Sequence, residues 1–263
     1  DAAMRRLCVL SAGIMCACAD QAAVDAYGRA EPNDAAAAAD ANARVFTSEE
    51  LIEAAASNET LYAVVVGRVF NVTSGAQFYG SGGGYRGFAD GRDASRAFLD
   101  TDFDAEGLDD LGNLTLSQCL EVNHWVNFYA THETYSLAGV HAGRFYDDGG
   151  APTDAQRDFE ACVHEADGRS AELQQLAKEV PKCAWQMGPP RSVSCVPPRV
   201  PLRIELPDEA AQCCCIHPDS LAPRLSGREA GNLRPRPYSS FGCTETESVC
   251  EMVRKKPNRP SSA

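Results

Sequence analysis

Two sets of side chains in this sequence have the types and spacing to do chemistry. The first lies in FYGSGGGYRGF, residues 78–88, where Tyr79 and Tyr85 stand on either side of a glycine run. A tyrosine oxygen that binds a metal ion does so as phenolate, a hard anionic donor. Its ordinary pKa is near 10, so the ion's own charge must keep the proton off. A glycine-rich loop bearing tyrosines is by itself more often a plain surface loop than a ligand site. Gly82, Gly83 and Gly84 weaken helix and strand and let the backbone approach a partner closely. The nearby rings of Phe78 and Phe88 make a flat, apolar partner one candidate. The second set is Cys183, Cys195, Cys213, Cys214, Cys215, Cys243 and Cys250, crowded toward the end of the chain. In an exported protein such crowding is a disulfide framework. Zinc held by Cys213, Cys215 and His217 is the weaker alternative, because the C-x-x-C spacing of structural zinc sites is missing. His124, beside Trp125, reads as a partly buried structural residue, and His132 and His141 as solvent-facing. All three stay open as imidazole ligands.

The elements that must position these groups are marked by local signals. RVFTSEELIEAA holds a complete helix start, with Thr47 as N-cap, Glu50 as its capping-box partner, and Phe46 with Leu51 as a hydrophobic staple. LYAVVVGRVFNV predicts a β-hairpin, β-branched on both arms, with Gly67-Arg68 in the turn. The glycine loop follows, then a helix over 92–99 with Asp93 as its N-cap. A second capping box, Thr115 with Gln118, opens an amphipathic helix to about Tyr129, and YSLAGVHAGRFY reads as another short strand pair. Thr153 and Gln156 make a third box ahead of apolar positions at Phe159, Val163, Leu173, Leu176 and Val180. From Pro181 onward prolines and cysteines dominate and periodicity fades.

Composition bounds the function. The 263 residues have room for one ordinary domain and a smaller module. A formal charge of -13 argues against nucleic acid, which needs clustered Lys and Arg. The basic run Arg254-Lys255-Lys256 lies in a Pro/Ser tail, read as solvated. No G-x-S-x-G elbow, P-loop or H-E-x-x-H occurs, and GSGGGYRG lacks the βαβ surroundings of a dinucleotide loop, so no enzyme is expected. Arg5 and Arg6 precede an apolar run, Leu7 to Ala19, closing on Ala17-Cys18-Ala19, the pattern of a secretory signal peptide over 1–19. An uncleaved membrane anchor is the rival reading. Residues 20–43, rich in Ala and Asp, read as a disordered linker. Asn58, Asn71 and Asn113 head N-x-T sequons, of which Asn71, inside the predicted hairpin, is the least suited to carry a glycan.

The succession LYAVVVGRVFNVTSG, FYGSGGGYRGFADGRDASRAF and WVNFYATHETYSLAGVHAGRFY resembles the membrane-associated progesterone receptor family, a branch of the cytochrome b5-like haem-binding fold. The resemblance is strong over about 44–150 and runs more faintly through a helix and a cysteine-bearing region that longer members share. It implies an α+β protein: a cytochrome b5-like haem-binding domain over 44–150, a helical extension over 151–180, a small, irregular, cysteine-rich module over 181–253, and a disordered tail over 254–263. It implies haem b as cofactor, with Tyr85 as axial ligand to iron, Tyr79 as a hydrogen-bonding pocket tyrosine, and Tyr135 as a third pocket tyrosine. THET ahead of Tyr135 is two residues longer than the family pattern. The HPGG-type motif that supplies histidine to ordinary cytochrome b5 is absent. Gly82–Gly84 would let the loop lie against the porphyrin, Phe78 and Phe88 would line its faces, and Arg86 and Arg92 are candidates for its propionates.

The same resemblance puts a C-x-C where this chain has Cys213-Cys214-Cys215, making Cys214 the extra one. Cys183, Cys195, Cys213, Cys215, Cys243 and Cys250 then suffice for three bridges, the pairing left open. Cys119 and Cys162 are expected as buried thiols, with a bridge between them as the alternative. The function implied is a secreted, non-enzymatic haem-binding protein of a kind whose animal relatives are associated with extracellular signalling in neural differentiation. One alternative is an endomembrane-associated haem-delivery or electron-transfer protein assisting a partner oxidase. Another is a disulfide-stapled protein-binding module without haem. The implied place is outside the cell or in the secretory-pathway lumen, the anchored reading remaining as alternative.

Overall fold

Thr47 starts the first helix as its neighbours predict. Its hydroxyl accepts from the Glu50 N–H at 3.2 Å, and the Glu50 carboxylate accepts from the Thr47 N–H at 2.9 Å. Helix α1 (Ser48–Ser57) thus begins on a closed capping box, and Phe46 and Leu51 pack in one buried cluster across that turn. In this computed structural model the described residues are 43–251, without 105, 207–209, 222–228, 239–240 and 242. The expected leader, all but the last residue of the expected linker, and the residues from 252 onward lie outside them.

Strand β1 (Val45–Phe46) runs parallel to β4 (Ser136–His141). The hairpin β2 (Tyr62–Val65) and β3 (Arg68–Asn71) completes a sheet of order β1-β4-β3-β2. The hairpin turn is Val66-Gly67 rather than Gly67-Arg68, because Arg68 pairs with Val65. Its φ angles, 51° and 67°, are the two positive values a type I′ turn needs. Positive φ is unfavourable for a β-branched residue, and Val66 is held there from outside the hairpin. The Val66 N–H donates to Ser95 Oγ at 2.6 Å, the Gly67 N–H donates to Asp93 Oδ2 at 2.7 Å, and the Ser95 hydroxyl donates to Asp93 Oδ1.

That network explains a difference from expectation. Asp93 does not cap a helix over 92–99: its carboxylate is buried against the hairpin turn, and the helix there, α3, spans only Ala97–Asp100. Ahead of it, α2 (Ala76–Tyr79) leads into the glycine loop and a 3-10 turn at Arg86–Ala89. The segment 135–146 is also not a second hairpin. It gives the single strand β4, whose partners are β3 and β1, and only isolated bridges beyond it.

Helix α4 (Leu116–Thr131) opens on the expected Thr115–Gln118 box and buries Leu116, Cys119, Val122, Val126 and Tyr129 on one face. Helix α5 (Asp154–Glu179) has half of its box. Thr153 Oγ1 accepts from the Gln156 N–H, while the Gln156 amide donates to Glu160 instead of reaching back. The Cys119–Cys162 disulfide joins these two helices, so the pair is not the buried thiols expected.

The C-terminal region is strand-rich where irregular structure was expected. One sheet has β5 (Ala184–Gln186), β6 (Ser192–Ser194) and β10 (Val249–Glu251); the other has β7 (Val200–Ile204), β8 (Gln212–Ile216) and β9 (Arg236–Pro237). Strand β8 separates two cores by the alternation of its side chains. Cys213 and Cys215 enter a cystine-filled cluster with Val193 and Phe241. Cys214 and Ile216 enter the main core, which runs without a break from Leu61 through Phe159 and Leu173 to Leu202 and Leu233.

Candidate functional site

The glycine loop is built by its neighbours before any ligand is considered. The Tyr85 N–H donates to the Phe78 carbonyl and the Gly83 N–H to the Gly80 carbonyl, so the loop folds back on α2. A Cβ on Gly83 would lie 2.1 Å from the Phe78 carbonyl oxygen, and Gly82 has φ 84°; these two glycines are required by the loop itself. Gly84 meets neither demand: a Cβ there would have nothing within 4 Å. Arg86 clamps the far side, its guanidinium donating to the carbonyls of Ala55 and Ala89. Arg92 is engaged with Asp90 and the Phe103 carbonyl. Both arginines therefore serve the loop's architecture, where the sequence offered them to propionates.

The three sequence-predicted tyrosines come together. The Tyr79 ring lies 6.0 Å from the Tyr85 ring and 6.0 Å, edge-on, from that of Tyr135. Tyr79 is buried on α2, and its hydroxyl lies 3.1 Å from that of Tyr129 on α4. Burial pushes the Tyr79 phenol up to about 12 and raises Tyr129 as well, so both are held as neutral hydrogen-bonding groups. Tyr85 differs in kind. It is 54% exposed, and its hydroxyl has no hydrogen-bond partner among the described residues. Tyr135 points its hydroxyl at Gly75, where a Cβ would lie 2.6 Å away, and its ring stacks on His132 at 3.8 Å.

Tyr129 was missed by sequence reasoning. Its signal was its place on the buried face of α4, in phase with Cys119, Val122 and Val126, where a buried phenol needs a polar partner. The other expectations divide. Phe78 is exposed beside Tyr85, while Phe88 is buried and stacked on Phe98 at 4.3 Å. His124 is exposed rather than partly buried, with its ring against Trp125. His141 lies 3.0 Å from the Ser48 hydroxyl and is half-buried, not solvent-facing. The zinc reading fails, since Cys213 and Cys215 are both in disulfides and His217 faces Asp219.

The cystines pair as Cys183–Cys213, Cys195–Cys215 and Cys243–Cys250, and Cys214 is the free, buried thiol. The sulfurs of Cys183, Cys195 and Cys215 lie within 4.8 Å of one another. A cleft of about 820 Å³ lies apart from the tyrosines, lined by Leu111, Arg144, Phe145 and Phe159 among others. It holds none of the tyrosines, and its ionisable groups are Asp110, Arg144, Asp158 and Glu229.

The donor set fits haem. An exposed phenol without a partner stands beside buried aromatic rings, and Gly84 leaves open ground next to it. The model for the Cytochrome b5-like Heme/Steroid binding domain matches residues 47–180. This chain belongs to that family. It is 31% identical over 235 residues to a neuferricin homolog of Caenorhabditis elegans, covering 80% of this chain and 69% of that protein, and is thus a neuferricin-like cytochrome b5 domain protein. It is similar to the neuferricin of Xenopus tropicalis, 36% identical over 53% of this chain and 51% of that one. It is also similar to membrane-associated progesterone-binding protein 4 of Arabidopsis thaliana, 41% identical over 51% of this chain and 54% of that one. The match thus spans about half the length of these two relatives. A solved Arabidopsis thaliana protein described as having a cytochrome b5 like fold is 36% identical over 38% of this chain and 93% of its own, with a TM-score of 0.33.

Proposed function

We propose that this protein is a non-enzymatic binder of ferric haem b, with the Tyr85 phenolate as axial ligand. The observation that carries the reading is the division of labour among the tyrosines: Tyr79 and Tyr129 are buried and mutually bonded, while Tyr85 presents an unpartnered oxygen at the surface. Bound haem would supply a ferric iron and, with it, redox chemistry. Tyr85 would ligate that iron, and the Tyr79–Tyr129 pair would fix the buried ring that packs beside Tyr85. A phenolate favours the ferric state, so this ligand set suits holding haem better than shuttling electrons.

The place proposed is an oxidising one, outside the cell or in the secretory-pathway lumen. Four paired cystines support it, since disulfides persist where thiols are not kept reduced. No helix among the described residues is long and apolar enough to cross a membrane. The test is titration of the purified chain with ferric haem. The reading expects a Soret band saturating at one equivalent and a loss of affinity on reduction with dithionite. A chain that binds no haem would leave a disulfide-stapled module in its place.

A further inference from the structure

Of the three sequons, one is built into the haem loop. Asn58 ends helix α1 in the left-handed conformation, exposed, and its side-chain oxygen accepts from the Ser81 N–H at 3.2 Å. Its amide nitrogen has no partner among the described residues. The bond fixes the Asn58 side chain two residues after Tyr79 and four before Tyr85. Asn71 is the opposite case: its amide oxygen accepts from both the N–H and the hydroxyl of Thr73, and that hydroxyl accepts from the Leu61 N–H. Asn71 is also half-buried within the sheet, between Tyr62 of β2 and Ser136 of β4, where a glycan has no room comparable to that at exposed Asn58. Asn113, exposed with φ 60°, has no such tie among the described residues.

We propose that Asn58 is an N-glycosylation site whose carbohydrate stands at the rim of the glycine loop and restricts access to the Tyr85 face. The inference rests on the haem-binding reading above. Attachment takes place at the amide nitrogen, which is unused, and leaves the oxygen free to keep its bond to Ser81. The glycan is therefore compatible with the folded loop and is held beside it.

The test uses the full chain behind a heterologous secretion leader in cultured mammalian cells, so that the leader expected over 1–19 is not at issue. Glycopeptide mapping is expected to find Asn58 occupied and Asn71 bare. Stopped-flow mixing with ferric haem then reads the association rate before and after peptide N-glycanase, which leaves Asp at the glycosylated position with its accepting oxygen. Removal is expected to speed association roughly three- to tenfold, within the range that changes at one interface produce. Asn58→Asp and Thr60→Ala, which lose this glycan and keep the sequon at Asn113, should show the same gain. An unoccupied Asn58, or equal rates with and without the glycan, overturns the proposal. Failure of the deglycosylated chain to take up haem would instead sink the haem reading, and the gating with it, while occupancy would still decide the modification.

Discussion

A phenol's neighbours decide which tyrosine can serve a metal. Tyr79 and Tyr129 share one hydrogen bond in a buried setting. Replacing either by Phe leaves the other hydroxyl buried without that partner, at a cost of about 1–3 kcal/mol, whereas replacing both removes donor and acceptor together. Urea melts of Tyr79→Phe, Tyr129→Phe and the double variant should therefore show a double cost smaller than the sum of the singles. Additive costs would mean that the two hydroxyls are not coupled. A sharper probe of the loop is Gly84, because its side is open. Gly84→Ala should leave stability within about 0.5 kcal/mol. It should lower haem affinity by about 1–3 kcal/mol if the loop lies against the porphyrin, as overpacking does in a filled contact. Gly83→Ala, by contrast, should damage the fold itself, since its Cβ meets the Phe78 carbonyl.

The hairpin and the loop that follows it are joined through Asp93. Burial pushes this carboxyl up to about 6, against the bonds from Ser95 and Gly67 that favour its charged form. A carboxyl whose folded pKa lies above its unfolded value near 4 contributes stability fully below that value, and the contribution is lost as pH rises through the folded pKa. The shift of about two units corresponds to roughly 3 kcal/mol at most. The stability of the wild-type chain relative to Asp93→Asn should therefore fall between about pH 4 and pH 6.5, as followed by chemical denaturation at several pH values. A constant difference across that window would refute the assignment. Asp93 also marks the limit of what local reading can reach. The capping boxes at Thr47 and Thr115 were legible because both partners lie three residues apart. The hairpin turn was displaced by one residue because its register is fixed by Asp93 and Ser95, far along the chain. The short helix α3 was overlong in expectation for the same reason: the best N-cap candidate was occupied elsewhere.

At the scale of the whole described chain, the cytochrome b5-like region shares a continuous core with the β8-β7-β9 sheet, while the β10-β6-β5 sheet packs on the cystines in a core of its own. The family block was legible because tyrosine, glycine and Asp-Ala-Ser spacings sit in one stretch. The cystine pairing was not, because six cysteines allow fifteen pairings and only folding selects one. Cys119 and Cys162 are 43 residues apart and lie on different helices, so nothing local announced their bridge. That bridge lies inside the main core and closes a long loop. Replacing both cysteines by Ala should cost about 2–4 kcal/mol, read as a lower denaturation midpoint. An unchanged midpoint would show that the two helices hold each other without it.

The central claim is that Tyr85 holds haem iron, and the most direct measurement is the ferric absorption spectrum of haem-titrated wild type beside Tyr85→Phe. The ring and its contacts with Tyr79 and Phe88 are kept in the variant, and only the oxygen is lost. Wild type should show a high-spin or mixed-spin ferric spectrum with a phenolate charge-transfer band, which Tyr85→Phe loses together with most of its affinity. An unchanged spectrum and affinity in Tyr85→Phe, with both lost in His132→Ala or His124→Ala, would contradict the account and place the iron on histidine.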